Sequence, residues 1–482
     1  MPELTPRRRM LVLAICCMSL FIVGLDNTIV NLALPAIQRD LDSSLTGLQW
    51  TVDAYTLVVA SLLMLAGSVA DRVGRRKVFQ LGLATFSIGS LLCSLAPNTG
   101  TLIAFRMVQA VGGSMLNPVA MSIITNVFTE RKERARAIGV WGGVIGLSFA
   151  LGPVIGGILV TSVGWRSIFW INVPVGIAAI VLTFIFVSES KAARPRRLDP
   201  AGQVLIMAAL FGLTYGIIQG PDHGWKSPLI IGCFLVSGAA LIALIFVEGH
   251  RKEPLLDPKF FRSVPFSSAT LIAIFGFAAL AGLLFLNAIY LQSVRGYSPL
   301  HAGLLTLPMA AAMAVLPPLS GRIVATKGSR IPLIIAGIGI CASGLLLTGI
   351  GPETSLVQVV IGYVLFGIGF GMMNAPITNT AVSGMPTAQA GVAAAVASTS
   401  RQVGSALGVA VLGSLVTSRV VPPVSTGFTA AATPAWIVIS VCGVLVLALG
   451  IVSTTNWAKG TASRTAEYFA EPASTPLAAM KS

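Results

Sequence analysis

The sequence predicts an all-α integral membrane protein with fourteen transmembrane helices. Of the 482 residues, 55% are apolar and only 10% are charged, and the apolar residues recur in blocks separated by short polar connectors. A soluble domain carries about 25% charged residues. A block of about 20 to 26 apolar residues is long enough to cross the hydrocarbon core as a helix. The chain therefore has no room for a sizeable soluble domain.

The predicted spans follow one another along nearly the whole chain. The first follows Arg7, Arg8 and Arg9 and carries Asp26. Because it continues for about 26 residues without a small-residue cleavage site, it is read as a span and not as a signal peptide. The predicted spans are 10–36, 47–70, 78–96, 101–128, 137–161, 167–187, 201–219, 228–247, 267–291, 302–319, 331–350, 357–377, 394–417 and 436–455.

Basic residues are distributed unevenly between the alternating connectors. One side of the predicted topology carries about 25 Lys and Arg, and the other carries about five. An excess of basic residues marks the cytoplasmic side. We therefore expect a multi-pass protein of the inner (plasma) membrane with both termini in the cytoplasm. The net charge of +15 is explained by this orientation signal, and no nucleic-acid partner is expected.

An internal repeat divides the chain into two similar parts. Gly67, Gly74 and Arg76 after span two match Gly321, Gly328 and Arg330 after span ten. The offset predicts two pseudo-symmetric six-helix bundles with two inserted helices between them, as in secondary transporters. The predicted domains are residues 1–190 (N-terminal bundle), 191–262 (linker with the inserted helices), 263–456 (C-terminal bundle) and 457–482 (flexible cytoplasmic tail).

Two motifs favour moving helices. In the connector after span two, glycines permit a tight turn or a close helix contact, and a carboxylate beside several cations can form ion pairs in one conformer and lose them in another. Small residues along span five let helix backbones touch, and a proline there bends the helix. Topology and ordinary packing are the alternative explanations. The candidate gating residues are Gly67, Asp71, Arg72, Gly74, Arg75, Arg76, Gly152, Pro153, Gly156 and Gly157.

These motifs together resemble a known transporter family. The run from Gly67 to Lys77 resembles the GxxxDRxGRR loop of the major facilitator superfamily, and the run from Gly146 to Gly157 resembles its GxxxxxGPxxGG antiporter signature. The segments 25–35, 50–55 and 165–174 are similar to the fourteen-spanner drug/proton antiporter branch. The resemblance covers the chain apart from the tail after about Asn456.

The sequence departs from the family pattern at two places. Span four has Ala110 where the family more often has glycine, and the C-terminal half has no intramembrane acid, although some multidrug members use one there. The second departure weakens the expectation that divalent cations are recognised.

Four charged residues fall inside predicted spans: Asp26, Asp53, Arg106 and Arg401. A carboxylate in the bilayer costs roughly 2.5–3.5 kcal/mol, so the acids must face a cavity, a partner or water. Helix direction places Asp26, Asp53 and Arg106 at a similar depth. Arg401 either anchors span thirteen near the cytoplasmic surface or enters the cavity.

The three charges of the N-terminal half suggest proton coupling. An Asp that exchanges Arg106 for cavity water could alternately take and release a proton. We hypothesise that Asp26 and Asp53 carry protons or contact a cationic substrate, with Arg106 as the competing partner. The alternative is a static Asp–Arg ion pair that holds the bundle together.

Polar residues on the spans are candidates for substrate binding. A ligand pocket is mostly apolar with a few polar groups, although each of these side chains could equally bond a neighbouring helix. The candidates are Asn27, Asn31, Gln109, Asn117, Asn287, Tyr290 and Asn374.

The resemblance implies proton-coupled efflux of amphiphilic drugs, antibiotics or related metabolites by alternating access. The alternatives are an exporter or symporter of a defined metabolite, such as an amino acid or siderophore, and a membrane sensor or membrane enzyme. We expect no enzyme, since no acid/base or nucleophile cluster appears. No metal or cofactor is expected either, because the three His are far apart and the six Cys form no CxxC pair. The expected partners are protons, a small amphiphilic substrate and the lipid bilayer, with a monomer as the functional unit.

Overall fold

The computed structural model describes residues 5–192, 198–251, 257–383, 387–421 and 423–469, and every regular element in those ranges is helical. Short 3-10 and π segments lie at Pro258–Arg262 and Tyr290–Val294. The α-helices are α1 (Pro6–Leu41), α2 (Leu45–Val73), α3 (Arg75–Ser94), α4 (Thr99–Val127), α5 (Arg131–Ser162), α6 (Ser167–Trp170), α7 (Asn172–Phe186), α8 (Pro200–His223), α9 (Pro228–His250), α10 (Val264–Ile289), α11 (Pro299–Leu305), α12 (Leu307–Lys327), α13 (Arg330–Leu346), α14 (Leu356–Val382), α15 (Thr387–Thr417), α16 (Val424–Ser453) and α17 (Asn456–Phe469).

The all-helical membrane character of the prediction is confirmed. Within the described ranges, 12 helical stretches are long and apolar enough to cross a membrane. The other two predicted spans also fall on helices, α13 and α15, but α13 is a shorter apolar helix. The count of fourteen spans therefore stays a prediction.

Small polar residues and glycines fix the helix ends. The hydroxyls of Ser44 and Ser227 accept hydrogen bonds from backbone N–H groups in the first turns of α2 and α9, which satisfies donors that a helix leaves free. Gly74 ends α2 with φ of 131°, and Gly328 ends α12 with φ of 81°. Only glycine adopts these angles readily, so the turns after both helices depend on it.

The helices pack in two groups with a pair between them. Helices α1 to α7, here the N-terminal group, pack mainly on one another, as do α10 to α16, here the C-terminal group. Helices α8 and α9 form a hairpin, here the inserted pair, in which α8 contacts both α2 and α15. Gln203 donates to the carbonyl of Ser61, and the carbonyl of Ile217 accepts from Ser414 at 2.9 Å. The inserted pair thus bridges the two groups.

The two groups touch at the end of the molecule opposite the termini. Gln292 of the C-terminal group donates to the carbonyl of Leu32, late in α1, at 2.8 Å. Gln49, in the first turn of α2, donates to the carbonyls of Val409 and Ala410 at 3.3 and 3.2 Å. All the hydrogen bonds between the groups that rest on described residues lie at this end, here called the closed end.

Residues 457–469, which the sequence assigns to the predicted tail, form a further helix. These residues belong to α17, whose Ala458, Ala462 and Thr465 are buried. Buried positions spaced three to four residues apart form one face of a helix, and this period is easily overlooked in a polar segment. The Thr461 hydroxyl accepts from the N–H of Val264 at 3.0 Å, so α17 is fixed to the start of α10. Residues 470–482 lie outside the described ranges.

Candidate functional site

A fully buried ion pair lies in the N-terminal group. Arg106 Nη1 of α4 lies 2.6 Å from Asp26 Oδ2 of α1, and the two residues are only 1% and 2% exposed. Isolated charges at such depth would cost several kcal/mol each, and pairing with good geometry offsets part of that cost. Arg106 is thus the partner that the sequence led us to expect for a buried Asp26.

Polar side chains from three helices surround the second oxygen of Asp26. Asp26 Oδ1 accepts from Gln109 Nε2 at 2.9 Å and from Asn172 Nδ2 at 3.2 Å. The same two nitrogens also lie 2.8 and 3.3 Å from Ser90 Oγ. Because Ser90 lies on α3, Gln109 on α4 and Asn172 on α7, Asp26 joins four helices. These donors hold the carboxyl group in one orientation.

The Arg106 guanidinium has further partners besides Asp26. It donates to Gln109 Oε1 at 2.7 Å and, from Nε, to the carbonyl of Thr51 at 3.2 Å. Its Cζ lies 4.3 Å from the centre of the Tyr55 ring and 5.9 Å from that of Phe169. A planar cation between aromatic rings is stabilised by their electron-rich faces.

Asp53 lies apart from this network. It is 0% exposed, and neither carboxylate oxygen has a hydrogen-bond partner among the described residues. Asp53 is one helical turn after Gln49, whose amide bonds α15, so both side chains lie on the α2 face toward the C-terminal group. The structure therefore brings together Asp26 and Arg106, while Asp53 lies near the contact between the groups.

The predicted substrate residues are dispersed. Gln109 is bound within the Asp26 network, and the Tyr290 hydroxyl donates to the carbonyl of Gly351 at 3.0 Å. Both side chains are fully buried in this conformation. The Asn287 Oδ1 accepts from the Tyr363 hydroxyl inside the C-terminal group.

The other predicted substrate residues have polar atoms without a described partner, or are partly exposed. Asn31 donates to the carbonyl of Asn27 at 3.0 Å. The Oδ1 atoms of Asn31 and Asn117 are buried without a described partner. Asn27, Asn117 and Asn374 are partly exposed. These side chains can therefore offer hydrogen bonds to a ligand.

The glycine-rich connector after α2 is fixed by the segment that follows α7. Asp71 pairs with Arg75 at 2.9 Å, and a Cβ on Gly67 would lie 3.8 Å from Pro118 Cβ. The Glu189 carboxylate accepts from the N–H groups of Arg76 and Lys77 at 3.0 and 3.2 Å. A carboxylate on the free N–H groups of a helix start is stabilising, so Glu189 caps α3.

The remaining members of the connector have different partners. Gly74 provides the positive φ described above, and Arg76 Nη1 donates to the carbonyl of Val187 at 3.4 Å. Arg72 lies at the end of α2 and also interacts with another group. The connector therefore contacts the end of span six as well as its own helices.

The small residues of α5 form close helix contacts in both directions. A Cβ on Gly152 would lie 2.0 Å from Thr28 Oγ1, and one on Gly156 would lie 3.1 Å from the Ile29 side chain, both on α1. A Cβ on Gly157 would lie 2.6 Å from the Cα of Leu300 in α11. On the opposite group, Gly303 of α11 lies so close to the carbonyl of Pro153 that no residue with a Cβ fits there. One stripe of α5 thus serves the packing of α1 and the contact between the groups.

Sequence reasoning missed four residues of these sites. Ser90, Asn172 and Tyr55 surround the Asp26–Arg106 pair, and Glu189 caps α3. Asn172 and Tyr55 lie within the segments that resemble the antiporter branch, and an amide within an apolar span was an available signal. Ser90 carried no such signal, because serine is common in transmembrane helices. Among the described residues, no cluster of three or more His, Cys, Asp or Glu could hold a metal ion.

Comparison with known proteins gives a consistent picture. The sequence model of the Major Facilitator Superfamily matches residues 16–409. The chain is 37% identical over 410 residues to the multidrug resistance protein Stp of Mycobacterium tuberculosis, covering 85% of this chain and 76% of Stp. It is also 37% identical over 400 residues to the tetracenomycin C resistance and export protein of Streptomyces glaucescens, covering 83% and 74%.

Solved structures agree at the level of the fold. A bacterial homologue of the lysosomal transporter Spinster, solved in an inward-facing and occupied conformation, matches with a TM-score of 0.67 at 18% identity, covering 96% of this chain and 98% of that chain. A POT family transporter in complex with a thioalcohol-conjugated peptide matches with a TM-score of 0.69 at 18% identity, covering 93% and 97%.

Proposed function

Because the chain belongs to the major facilitator superfamily, we propose that it exports amphiphilic drugs, antibiotics or related metabolites in exchange for protons. The chain is a multi-pass membrane transporter and not an enzyme. The names of its relatives, a multidrug resistance protein and a resistance and export protein, support export of such compounds.

The proposal includes an arrangement in the membrane. Fourteen spans form two pseudo-symmetric bundles, residues 1–190 and 263–456, with the inserted pair between them, and the protein acts as a monomer in the plasma membrane. Both termini lie in the cytoplasm, as the excess of basic residues in alternate connectors favours. The closed end then faces outward, and the cavity between the two groups opens inward.

In the proposed mechanism Asp53 carries the proton. The observation that carries this assignment is its complete burial without a hydrogen-bond partner among the described residues. A buried carboxyl without a partner is tolerated only as the neutral acid. Asp53 therefore holds its proton in this conformation and releases it when the contact between α2 and α15 opens to water.

Asp26 and Arg106 then have a different role. Asp26 is already stabilised by Arg106, Gln109 and Asn172, so a proton is needed there only when Arg106 moves away. A static pair that holds α1 and α4 together is the competing account, and the contacts of Arg106 with Thr51 and Tyr55 suit it equally.

Substrate would bind between the two groups during alternating access. Asn27, Asn31 and Asn117 supply hydrogen-bonding groups from the N-terminal group, and Asn287 and Asn374 from the C-terminal group. The glycine stripe of α5 supports rocking, because a helix contact without side chains can slide or separate without repacking large groups.

The test uses purified protein in liposomes with a pH-sensitive dye inside. An imposed pH gradient supplies about 1.4 kcal/mol per pH unit, and addition of ethidium, puromycin or an amino acid reports substrate-driven proton movement. We expect Asp53→Asn to abolish proton movement and Asp26→Asn to reduce it, while the matched control Glu353→Gln, an exposed acid in the connector before α14, keeps it.

Two results would contradict the proposal. Full proton-dependent transport by both Asp variants would exclude the coupling role. Proton movement with the amino acid alone would identify a metabolite transporter instead of a drug exporter.

A further inference from the structure

Arg401 is the second cation inside the predicted spans, and it has no acidic partner among the described residues. It lies in the middle of α15. Its Nη2 donates to the Thr378 hydroxyl of α14 at 2.8 Å, while Nε is buried without a hydrogen-bond partner. Arg106, by contrast, is paired with Asp26. An unpaired charge at membrane depth is costly and marks a functional site more often than a structural one.

The Arg401 side chain contacts two other helices of the C-terminal group. Helix α10 packs against both α14 and α15, with α16 behind it. From α15 the side chain reaches Thr378 of α14, and its Cζ lies 5.9 Å from the centre of the Phe277 ring of α10. The guanidinium therefore lies where α10, α14 and α15 meet.

The position of Thr378 agrees with this placement. On α14, Gly369 packs against the backbone of α13 at Ala336 and Ile340. Thr378 follows nine residues later, which is a rotation of about 180° at about 100° per residue. Thr378 thus points away from α13, on the face of α14 where Gly371 packs against α12, and it is exposed.

The wall beside Arg401 is aromatic and weakly polar. Phe277 and Phe370 are in edge contact with ring centres 5.0 Å apart. Phe370, Asn374 and Thr378 are spaced four residues apart and so follow one face of α14. Phe370 is buried and backs Phe277, which is partly exposed. A planar ring placed against Phe277 would bring a substituent near the guanidinium.

We infer that Arg401 binds the acidic group of an aromatic anionic substrate, a carboxylate or a phenolate. A guanidinium offers two parallel N–H donors to a carboxylate, and such charge-assisted bonds are the stronger ones. The inference rests on the proposed export function and narrows its substrate class. It also fits the lack of an intramembrane acid in the C-terminal half, since that wall offers a cationic drug no counter-charge.

Two xanthene dyes of similar shape and opposite charge test the inference. Fluorescein carries a carboxylate and a phenolate, whereas rhodamine 123 is a cation whose carboxyl is esterified. Fluorescence polarisation measures the binding of each dye to the purified full-length protein at equilibrium. No gradient is imposed, so a failure of proton coupling leaves the measurement intact.

We expect the wild-type protein to bind fluorescein more tightly than rhodamine 123. Arg401→Gln should weaken fluorescein binding by about tenfold or more, the scale of one charged hydrogen bond, and should not weaken rhodamine 123 binding. Arg401→Lys should recover part of the loss. The matched control is Arg419→Gln, which removes an exposed cation just beyond α15 and should bind both dyes like the wild type.

Three results would overturn the inference. Unchanged fluorescein binding in Arg401→Gln would remove the proposed contact, and an equal loss of both dyes would assign Arg401 to helix packing through Thr378. A wild-type protein that prefers rhodamine 123 would exclude an anionic substrate even if the variants failed to fold.

Discussion

At the scale of residues, the N-terminal group contains two buried carboxyls with opposite surroundings. Asp26 has a cation and two amide donors, and Asp53 is buried without a partner among the described residues. Removing one partner of a buried pair is far more costly than removing both, because the remaining charge is left unpaired.

Arg106→Gln is therefore expected to destabilise the protein by about 3–5 kcal/mol. The double variant Asp26→Asn, Arg106→Gln should recover most of this loss, since no charge is then left behind. Thermal unfolding of the purified variants measures both. Equal stability of the single and double variants would mean that Asp26 is neutral or solvated in the folded protein.

The residue pairings of the site could be predicted only in part. The positions of Asp26 and Arg106 along their helices predict that they lie at a similar depth. Because a buried acid is costly, Asp26 was also expected to have a partner. Depth does not give the direction around the helix axis, so the separation of Asp53 from Arg106 could not be derived. Ser90 was missed for the same reason: its role depends on which face of α3 meets α4 and α7.

At the scale of elements, α5 combines two kinds of glycine. Gly157 packs against the backbone of α11, whereas Gly143 has nothing within 4 Å of the position of a Cβ. Gly157 therefore supports the contact between the groups. Gly143 has no packing role, and its only effect on α5 is the lower helix propensity of glycine.

Gly157→Ala is expected to destabilise the protein by about 1–3 kcal/mol, because backbone atoms of Pro299 and Leu300 must move to admit a methyl group. Gly143→Ala should be neutral or stabilising by up to about 1 kcal/mol. Unfolding temperature and transport rate are the measurements. A neutral Gly157→Ala would show that the contact between α5 and α11 adapts freely.

The start of α8 provides a pH-dependent feature outside the spans. Asp199 caps α8 by accepting from the N–H of Gly202 at 2.8 Å, and it pairs with Arg251. Burial alone would raise the pKa of Asp199, but hydrogen bonds from Glu248 and Gly202 and the charge of Arg251 hold the pKa below its ordinary value of 3.8. The charged form is therefore favoured by folding.

Since the folded-state pKa is depressed, the stabilisation by Asp199 is present above the ordinary pKa and is lost as the pH falls through the folded-state value. Asp199→Asn keeps a side chain that can cap α8 but removes the charge that pairs with Arg251, so it should lower the unfolding temperature at pH 7 by the equivalent of up to about 1 kcal/mol. The difference from wild type should shrink below about pH 4. If the difference in unfolding temperature between variant and wild type stayed constant with pH, the charged form of Asp199 would not be what stabilises the fold.

The existence of the helices was more predictable than their ends. Apolar blocks gave a helix for each predicted span, but α1 begins at Pro6 and ends at Leu41, several residues beyond the predicted span at both ends. Predicted span ten is divided at Thr306 between α11 and α12. Helices extend past the apolar block when caps such as Thr5 are available, and hydropathy does not record caps.

At the scale of the whole molecule, glutamine side chains join the two groups at the closed end. Gln49 and Gln292 each donate to backbone carbonyls of the opposite group. Replacing both by Leu removes these bonds and leaves the carbonyls without their partners, which favours separation at this end.

Spin labels at Arg39→Cys and Glu353→Cys, in a background without native cysteines, report the distance between the groups at this end. The Gln49→Leu, Gln292→Leu double variant should shift the distance distribution to longer values. The matched control Gln358→Leu removes a bond to the carbonyl of Leu346 within one group and should leave the distribution unchanged. The same distribution in all three proteins would mean that the glutamines do not hold this end closed.

The Asp26 cluster also has a consequence for how the chain is made. Its members arrive from the ribosome in the order Asp26, Ser90, Arg106, Gln109 and Asn172. The carboxylate gains its cation only after α4 has entered the bilayer, and its last amide donor only with α7. During synthesis the first helix therefore depends on shelter by the insertion machinery or by water until later helices arrive, and a chain truncated before α4 should be retained there or degraded.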